Sequence, residues 1–572
     1  MYTASTALLE ALSEWGVTHL FVNFGSDHPA LIEAIAEARA HGRQVPAIVT
    51  SPHEMVALSC AHGHAQVSGR AQAVVVHVEC GTQSLGGAVH NAARGHVPVL
   101  VFAGMSPFTQ DGETKGSRNE FIQWIQDVSD QRGIVRGYMK YDNELRSAKN
   151  VKQIVYRAMQ FAHSDTRGPV YLVGAREVME AATEPASLDP RHWLPIAANP
   201  LPEDGIAEIV GALAKAARPL IVTSNAGRNP AAFGAMHRFA RALGIGVIES
   251  VPMAANFPHA DPLYQGNYWN HQTQNPVLAE ADAILVVDSD VPWIPTVNRP
   301  SPDAAIYYVD VDPLKQSMPL WYVESHRSFR ADAATALNQL AAYAEKHPPD
   351  AAAVKKRAAH YTENHARRAA KLAKEAEPAG GDIITGVYLT AAVRRQIDLS
   401  NTIVLTEGIT NYPAIADHIA PDVAGSYFGS GGGSLGWNGG AAIGTKLAAP
   451  EKTVVALTGD GSYMFSVPST VHWMARQYRT PFLQVVYNNR GWAAPKFSAL
   501  AVNPDGYAKR ANDIDVAFDP PPDYGGIAAT AGGAFTRKVE RASDLEAAIA
   551  EALRVVREDK RAAVLDVWLP RL

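Results

Sequence analysis

One stretch of the chain constrains its fold more than any other: the turn Gly459-Asp460-Gly461-Ser462 and the later pair Asn488-Asn489. The turn comes directly after the apolar run 454–458, and the asparagine pair comes directly after a second apolar run, 482–487. Short apolar runs of this kind are typical of buried strands. A segment of helical length, residues 467–479, lies between the two. The pattern therefore predicts a strand, a tight turn, a helix and a second strand in a parallel sheet.

The polar residues of this stretch stand at the carboxyl ends of the two predicted strands. In an open parallel sheet these ends form the edge at which ligands bind. Carboxylate and amide oxygens are hard ligands that suit Mg²⁺, so Asp460 and Asn489 are candidate metal ligands. The two glycines let the backbone approach a diphosphate, to which the next helix offers free N–H groups. The competing interpretation is a turn without a ligand, because short motifs recur by chance.

Length and composition limit the class of protein. The 572 residues favour about three or four domains. A formal net charge of −6 gives no indication of a nucleic acid or membrane partner. Cys60 and Cys80 are the only cysteines, which indicates a reducing compartment and not a disulfide framework. The N-terminal segment contains Glu10 and Glu14 and predicts an amphipathic helix instead of a signal peptide, so we expect a cytoplasmic protein.

Three α/β units follow one another along the chain. Strand-like runs alternate with helix-length segments, which predicts three doubly wound parallel sheets. The predicted strands are 19–23, 47–50, 73–77, 98–102 and a closing strand 168–173 in the first unit, and 219–223, 283–287 and 305–309 in the second. The predicted boundaries are a first domain at 1–183, a proline-containing linker at 184–204, a middle domain at 205–345, a helical linker at 346–381 and a third domain at 382–572.

The turn and its asparagine pair resemble the cofactor motif of thiamine diphosphate (ThDP) enzymes, the superfamily of acetolactate synthases, pyruvate decarboxylases and benzoylformate decarboxylases. The order of three α/β units is also similar to the pyrimidine-binding, middle and diphosphate-binding domains of that superfamily, over essentially the whole chain. The resemblance implies that Mg²⁺ is bound by the side chains of Asp460 and Asn489 and the carbonyl of Gly491. It also implies that Gly459, Gly461 and Ser462 lie beside the diphosphate.

A second matching segment contains the candidate catalytic carboxylate. The run 47–50 reads as a strand, and Ser51-Pro52-His53-Glu54 leads from it into a small-residue helix. This segment resembles the one in which the superfamily holds a glutamate against the pyrimidine ring of ThDP. The resemblance implies that Glu54 protonates the ring nitrogen and so promotes loss of the proton from the thiazolium C2. The competing interpretation is a glutamate favoured at a helix N-terminus by the helix dipole.

Two further segments complete the predicted cofactor site. The glycine-rich run 429–436 precedes a small-residue helix and resembles the Gly-Thr-Met-Gly segment of the superfamily. The resemblance implies that Leu435 is the apolar wedge that bends ThDP and that the backbone of Gly433 and Leu435 contacts the pyrimidine. Glu407-Gly408-Ile409-Thr410 follows a predicted strand and matches the second phosphate-contacting turn, which assigns Thr410 to the cofactor.

Candidate substrate residues lie mostly in the first domain. His77 opens a segment, His77-Val78-Glu79-Cys80-Gly81-Thr82, that resembles the active-site histidine segment of benzoylformate decarboxylases. An imidazole titrates near neutral pH and can deliver a proton; the alternative is a histidine hydrogen-bonded at a strand end. Ser26 and His28 fall on the loop that lines the substrate pocket in the superfamily, Gln123 resembles the glutamine of a Phe-Gln pair in acetolactate synthases, and Trp492 follows the metal segment.

The chain also departs from its relatives. The usual Gly-Pro-Gly of the first domain is Glu79-Cys80-Gly81, and the second histidine of benzoylformate decarboxylases has no counterpart near 291–295. The paired histidines of pyruvate decarboxylases are absent. Residues 224–228 do not form a convincing glycine-rich nucleotide turn, which makes FAD doubtful as a cofactor. The Pro- and Asp-rich segment 493–524 is a candidate lid over the site.

The resemblance implies a reaction as well as a cofactor. The overall similarity favours acetolactate synthase-like chemistry, in which a 2-oxo acid is decarboxylated and the product is ligated to a second carbonyl. A non-ligating decarboxylase or lyase resembling benzoylformate decarboxylase stays open, as does a catalytically silent ThDP-binding protein, although a silent relative would be free to lose Glu54. We expect a small-molecule substrate, no nucleic acid or membrane partner, and a homodimer or homotetramer with active sites between subunits.

Overall fold

Three six-stranded parallel sheets follow one another along the chain. The structure is a computed structural model that describes residues 1–271, 273–511 and 514–571. Every strand pair within the three sheets is parallel, and helices connect most successive strands. The predicted fold class is therefore confirmed. Among the described helices, none is both long and apolar enough to cross a membrane.

The first sheet has the strand order β2-β1-β3-β4-β6-β5. Its strands are β1 His19–Val22, β2 Ala47–Thr50, β3 Gln72–Val76, β4 Val99–Met105, β5 Tyr141–Leu145 and β6 Val170–Ala175. The helices are α1 Ala4–Glu14, α2 Pro29–Ala40, α3 Glu54–Ser68, α4 Val78–Ser84, α5 Gly86–Arg94, α6 Ile122–Ile125, α7 Val151–His163 and α8 Arg176–Glu180. The predicted closing strand 168–173 corresponds to β6, the last strand of this sheet along the chain, whereas the edge strand β5 beside it is not among the predicted strands. That edge strand is mostly polar and only partly buried, so it has no apolar run.

The middle sheet has the order β12-β11-β10-β7-β8-β9. Its strands are β7 Pro219–Thr223, β8 Gly246–Ser250, β9 Tyr264–Tyr268, β10 Ala283–Val287, β11 Ala305–Asp310 and β12 Arg327–Arg330. The helices are α9 Glu203–Lys215, α10 Pro230–Leu243, α11 Pro276–Glu280 and α12 Ala333–Lys346, and the long helix α13 Ala351–Glu375 leads to the third sheet. Of the α13 side chains, Arg357 and Tyr361 are buried, so the helix is largely solvated, as its charged composition predicts.

The third sheet has the order β14-β13-β15-β16-β18-β17. Its strands are β13 Thr402–Glu407, β14 Tyr427–Gly429, β15 Thr453–Gly459, β16 Leu483–Asn488, β17 Phe535–Val539 and β18 Ala563–Trp568. The helices are α14 Gly386–Arg395, α15 Tyr412–Ile419, α16 Trp437–Ala448, α17 Asp460–Phe465, α18 Pro468–Gln477, α19 Ala493–Val502, α20 Tyr507–Ala511, α21 Tyr524–Gly532 and α22 Ala542–Arg557. The strand order reverses between β13 and β15, which opens a crevice at their carboxyl ends.

The first and third domains meet through a close contact between α3 and α16. Three glycines lie at this contact. A Cβ atom on Gly444 would lie 1.9 Å from the carbonyl oxygen of Cys60, and one on Gly63 would lie 2.4 Å from the carbonyl oxygen of Ala441. On Gly440 it would lie 2.7 Å from the Cβ of Ser59. The small residues of both helices therefore let the two backbones touch, and buried apolar side chains from both domains form one core around them.

We predict that Gly444→Ala destabilises the protein by about 1–3 kcal/mol, because the added methyl group forces the two helices apart. The matched control is Gly211→Ala in α9, where a Cβ atom meets nothing within 4 Å. This control should gain about 0.5–1 kcal/mol from the better helix former. Chemical denaturation of both variants measures the difference. Equal stability of the two variants would contradict close packing at α3 and α16.

Candidate active site

The turn 459–462 lies at the carboxyl end of β15, beside the carboxyl end of β16. Asp460 is buried, and its two carboxylate oxygens accept hydrogen bonds from the backbone N–H of Gly461 at 2.8 Å and of Gly491 at 2.9 Å. Burial raises the pKa of the Asp460 carboxyl to about 6, although these N–H groups lower it. Gly461 is required by the close approach of Trp492, whose Nε1 would lie 2.4 Å from a Cβ atom. The contact with Gly491 joins the two predicted metal segments.

Asn489 presents a buried oxygen without a donor. Its Oδ1 atom has no hydrogen-bond partner among the described residues. The neighbouring Asn488 is fully used, since its amide donates to Asp566 and accepts from the N–H of Arg490. A buried acceptor without a donor costs about 1–3 kcal/mol, and a cation offsets that cost. A carboxylate, an amide oxygen and a backbone carbonyl at Gly491 thus fit Mg²⁺. In the described part of the chain, no cluster of three His, Cys, Asp or Glu side chains offers another metal site.

Thr410 and Ser462 lie on either side of the crevice between β13 and β15. Thr410 is partly buried in the single turn Ile409–Asn411 that follows β13, and Ser462 is buried in α17. Both stand at carboxyl ends of adjacent strands, since Glu407 is in register with Thr458. The two turns that the sequence predicts to receive an anionic group therefore lie side by side.

The turn that carries Leu435 is held from two sides. On the first-domain side, Asn91 donates to the carbonyl of Ser434 at 2.8 Å and accepts from its N–H at 3.1 Å, while the N–H of Gly433 donates to His90 Nε2 at 3.1 Å. On the third-domain side, Glu407 accepts from the N–H of Gly436 at 2.7 Å. Leu435 itself is partly buried between these anchors.

Glu54 is the first residue of α3 and is partly buried. Its Oε1 atom accepts a hydrogen bond from Asn23 Nδ2 at 2.9 Å. A Cβ atom on Gly81 would lie 3.2 Å from the same oxygen, so the segment after β3 passes close to the carboxylate. Glu54 therefore lies at the carboxyl edge of the first sheet, between the residues that follow β1 and β3.

His77 follows β3 and is clamped between two acceptors. Its Nδ1 lies 2.5 Å from Asp27 Oδ1, and its Nε2 lies 2.8 Å from Gln126 Oε1. Because the Gln126 amide nitrogen donates to Cys80 Sγ, its oxygen is the group that faces His77. Burial lowers the pKa of His77, but the hydrogen bond and charge of Asp27, with smaller effects of Gln126 and Glu54, raise it above its ordinary value. The arrangement favours a doubly protonated imidazolium.

Asp27 is the buried partner that makes this possible. Its second oxygen accepts from the N–H of Val78 at 3.0 Å. Burial raises the pKa of the Asp27 carboxyl, but His28 and His77 together hold it below its usual range. A Cβ atom on Gly25 would lie 2.0 Å from His77 Nδ1, so the glycine leaves room for the ring.

The remaining predicted substrate residues have different surroundings. Ser26 Oγ is buried and has no hydrogen-bond partner among the described residues. His28 is buried, with its ring near those of Phe24 and Phe102. Gln123 is also buried, and its amide bonds to residues of its own loop, Asn119 and Glu120. The glutamine that contacts His77 is thus Gln126.

Trp492 lines an almost wholly apolar recess next to the metal turn. The recess has a volume of about 500 Å³, and its lining residues are Met464, Phe465, Trp492, Phe518 and Pro522. The indole of Trp492 packs edge-on against Phe518 with ring centroids 5.1 Å apart. This recess can accept an apolar group. The nearby segment 493–524 contains α19 and α20, and its residues 512 and 513 lie outside the described residues.

The carboxyl edge of the middle sheet does not fit a dinucleotide. Asp288 is paired with Arg228 at 2.5 Å, and Asp290 and Asp310 are both paired with the buried Lys315, at 2.8 and 2.7 Å. Three carboxylates at the ends of β10 and β11 repel a diphosphate, and their cations are already paired. The residues present therefore give FAD no anion site at this edge.

Sequence reasoning missed Asp27, Gln126, Asn23 and Glu407. A signal existed for two of them: the loop after β1 must lie beside the loop after β3, because β1 and β3 are neighbours. Asn23 and Asp27 stand on the first loop and His77 on the second. Gln126 lies in an irregular segment without periodicity, and nothing in the sequence marks it.

Comparisons with known proteins match all three domains of the chain. Three family models match consecutive parts of the chain: "Thiamine pyrophosphate enzyme, N-terminal TPP binding domain" at residues 2–133, its "central domain" at 206–341 and its "C-terminal TPP binding domain" at 408–567. A benzoylformate decarboxylase of Pseudomonas aeruginosa is 26% identical over 517 residues, which is 87% of this chain and 88% of that protein. A probable acetolactate synthase large subunit of Methanocaldococcus jannaschii is 24% identical over 499 residues, 85% of this chain and 80% of that protein.

The fold also matches solved structures. The structure of a thiamine diphosphate-dependent 4-hydroxybenzoylformate decarboxylase from Rhodococcus jostii RHA1 superposes with a TM-score of 0.79 at 22% sequence identity. The match covers 100% of this chain and 99% of that chain. At this identity the comparison establishes the fold, and it includes all three sheets.

We predict that Asp460→Ala abolishes Mg²⁺-dependent binding of ThDP, because it removes the charged oxygen ligand of the metal. The matched control is Asp398→Ala, an exposed carboxylate before the amino end of β13, which should bind ThDP as the unaltered protein does. Isothermal titration calorimetry with and without Mg²⁺ measures both. Binding retained by Asp460→Ala would contradict the metal assignment.

Proposed function

Since the chain belongs to the thiamine diphosphate-dependent enzymes, we propose that it cleaves a 2-oxo acid between its carboxylate and its carbonyl carbon, and that His77 protonates the carbon left behind. The reaction consumes one proton and releases CO₂ and an aldehyde. The observation that carries this proposal is the clamp of His77 between Asp27 and Gln126, in which both ring nitrogens face acceptors. An imidazolium at this edge is a proton donor.

The cofactor residues support the proposal. Asp460, Asn489 and the carbonyl of Gly491 would hold Mg²⁺, and the turns that contain Gly459, Gly461, Ser462 and Thr410 would receive the diphosphate. Gly433 and Leu435 would face the pyrimidine and the bend of the cofactor. ThDP, when bound, supplies a carbon nucleophile and accepts the electron pair of the broken bond. The protein has to orient that group and control protons around it.

Glu54 is the proposed proton-holding group for the cofactor. Its carboxylate stands at the N-terminus of α3 with one oxygen fixed by Asn23. This leaves the second oxygen available for the ring nitrogen of a pyrimidine. Glu54 and His77 stand at the same edge of the first sheet. In this proposal Glu54 exchanges a proton with the cofactor, and His77 donates a proton to the product.

The side chain attached to the carbonyl carbon of the substrate is proposed to occupy the apolar recess that Trp492 lines. The recess is next to the metal turn, because Trp492 lies against Gly461. Its aromatic lining favours a substrate with an aromatic or branched side chain over one as small as pyruvate. The relatives that are named benzoylformate decarboxylases point in the same direction. Ser26, with an unpaired buried hydroxyl, is the proposed contact for the substrate carboxylate.

A second copy of the chain is proposed to complete the active site in a homodimer or homotetramer. Large apolar side chains are exposed on both domains that hold the site. Phe121 and Ile125 of the first domain are 79% and 73% exposed, and Phe465 and Phe497 of the third are 49% and 52% exposed. Contiguous exposed apolar surface marks contact regions between proteins, and these side chains are proposed to form such a region with the second copy. A cytoplasmic location remains part of the proposal.

The test is incubation of the protein with ThDP, Mg²⁺ and a panel of 2-oxo acids that includes phenylglyoxylate and pyruvate. We expect CO₂ and aldehyde in equal amounts, with phenylglyoxylate consumed faster than pyruvate. A hydroxyketone as the main product would contradict protonation and support the acetolactate synthase-like alternative. No turnover of any 2-oxo acid would contradict the proposed reaction.

The pH dependence tests the role of His77. The acid form is the active one, so the rate should fall as pH rises through the pKa of His77, which Asp27 holds above its ordinary value. Asp27→Asn removes that charge, burial then lowers the pKa, and the alkaline limb should move to lower pH. His77→Gln should lose about 100-fold or more in kcat. An alkaline limb that does not move in Asp27→Asn would contradict the assignment.

A further inference from the structure

We infer that Glu407 is a positioning residue, which caps the N-terminus of α16 from a neighbouring strand and thereby fixes the turn that presents Leu435. Glu407 is the last residue of β13, and α16 begins at Trp437. The inference rests on the cofactor assignment and not on the identity of the substrate.

One carboxylate satisfies three backbone donors at the start of α16. Its Oε1 atom accepts from the N–H of Gly436 at 2.7 Å and of Trp437 at 3.3 Å, and its Oε2 atom accepts from the N–H of Asn438 at 2.9 Å. The residue before the helix is Gly436, which has no side chain to supply this cap. A helix leaves its first N–H groups without partners unless a cap provides them. Here the cap comes from 29 to 31 residues earlier in the chain.

The cap is buried. Glu407 is 1% exposed, and burial raises the pKa of its carboxyl to about 7, while the three N–H groups lower it. The positive end of the α16 dipole faces the carboxylate, so the ionised form is the one the contacts select. A buried carboxylate is expensive unless its oxygens are bonded. The three N–H contacts offset part of this burial cost and tie the carboxylate to the start of the helix.

Leu435 stands between two anchored neighbours. On its C-terminal side, Gly436 has φ +97° and donates to Glu407, and a Cβ atom there would lie 2.5 Å from the carbonyl oxygen of Phe465. On its N-terminal side, Asn91 bonds both backbone groups of Ser434. Asn438 adds a tether from its side chain to the carbonyl of Leu405 at 3.2 Å. An apolar side chain can bend the cofactor only if the backbone on both sides of it is fixed, because the two rings of the cofactor would displace a mobile side chain.

The same contacts close the start of α16 to phosphate. A helix N-terminus is normally an anion site because its N–H groups are free. In this chain the first three belong to Glu407, whose own charge repels a second anion. The diphosphate is therefore left to the turns after β13 and β15. Glu407 thus assigns two parts of the cofactor to different elements. The turn before α16 presents Leu435 to the bend of the cofactor, and the turns after β13 and β15 bind its diphosphate.

The chemistry of the cap predicts which replacements fail. A glutamine in place of Glu407 would keep the length but present an NH₂ group to backbone donors, so at least one N–H would lose its acceptor. Aspartate is one methylene shorter, so its carboxylate would not reach all three N–H groups. Both Glu407→Gln and Glu407→Asp should therefore loosen the turn. The matched control is Glu249→Gln in the middle domain, a carboxylate that is also fully buried and accepts from Asn256, His259 and Tyr264.

The experiment is hydrogen exchange of the full-length protein without cofactor, followed by calorimetry with ThDP and Mg²⁺. In the unaltered protein the amides of Gly436, Trp437 and Asn438 should already be protected. In Glu407→Gln they should exchange at least tenfold faster, and the Kd for ThDP should rise at least tenfold. Glu249→Gln should leave both measurements unchanged.

Three results would overturn the inference. The first is rapid exchange of the three amides in the unaltered protein, which needs no variant and applies even if the substitutions impair folding. The second is unchanged exchange in Glu407→Gln. The third is faster exchange without any loss of ThDP affinity, which would leave Glu407 a structural cap only. Each is independent of turnover, so failure to cleave 2-oxo acids would count against the proposed reaction and not against this cap.

Discussion

The backbone contact between α3 and α16 is the interaction on which the arrangement of the site depends. Each helix starts near the carboxyl edge of its own sheet, and the glycines at their crossing let the two helices touch. The side chain of Met55, next to Glu54, reaches within 2.9 Å of a Cβ position on Gly436, next to Leu435. Because protein interiors are close-packed, this contact allows little relative movement of the two sheet edges. Any larger residue at the crossing would push the two helices apart.

Three buried carboxylates at these edges have the same chemistry and different tasks. Asp460 accepts two backbone N–H groups and is the proposed ligand of a cation. Glu407 accepts hydrogen bonds from three N–H groups at the start of α16 and fixes the position of that helix N-terminus. Asp27 accepts one N–H group and pairs with His77, whose proton affinity it raises. In each case the group that compensates the buried charge determines what the carboxylate does, since a buried carboxylate without such a partner would not remain ionised.

Burial on both faces makes several of the strands visible in the sequence alone. Strands such as β3 and β15 are buried on both faces, so each is a continuous apolar run that is visible without a structure. The edge strands β5 and β12 carry polar side chains and give no such signal. The same logic predicts Asp460 and Asn489 as metal ligands, because polar residues directly after two apolar runs meet at one sheet edge. It missed Gln126, because the segment around this residue shows no hydrophobic periodicity and does not directly follow a predicted strand.

The sequence by itself determined the class of fold and the cofactor motif, because both depend on short-range patterns: an apolar strand, a glycine turn and the start of a helix. The tertiary structure alone decided which buried groups face each other. Asp27 and His77 are 50 residues apart, and Glu407 caps a helix that begins on a different segment. Such pairs are set by the packing of loops and helices around the core, and packing brings together residues that no local pattern relates. The protonation of His77 and the rigidity of the Leu435 turn are therefore properties of the folded molecule.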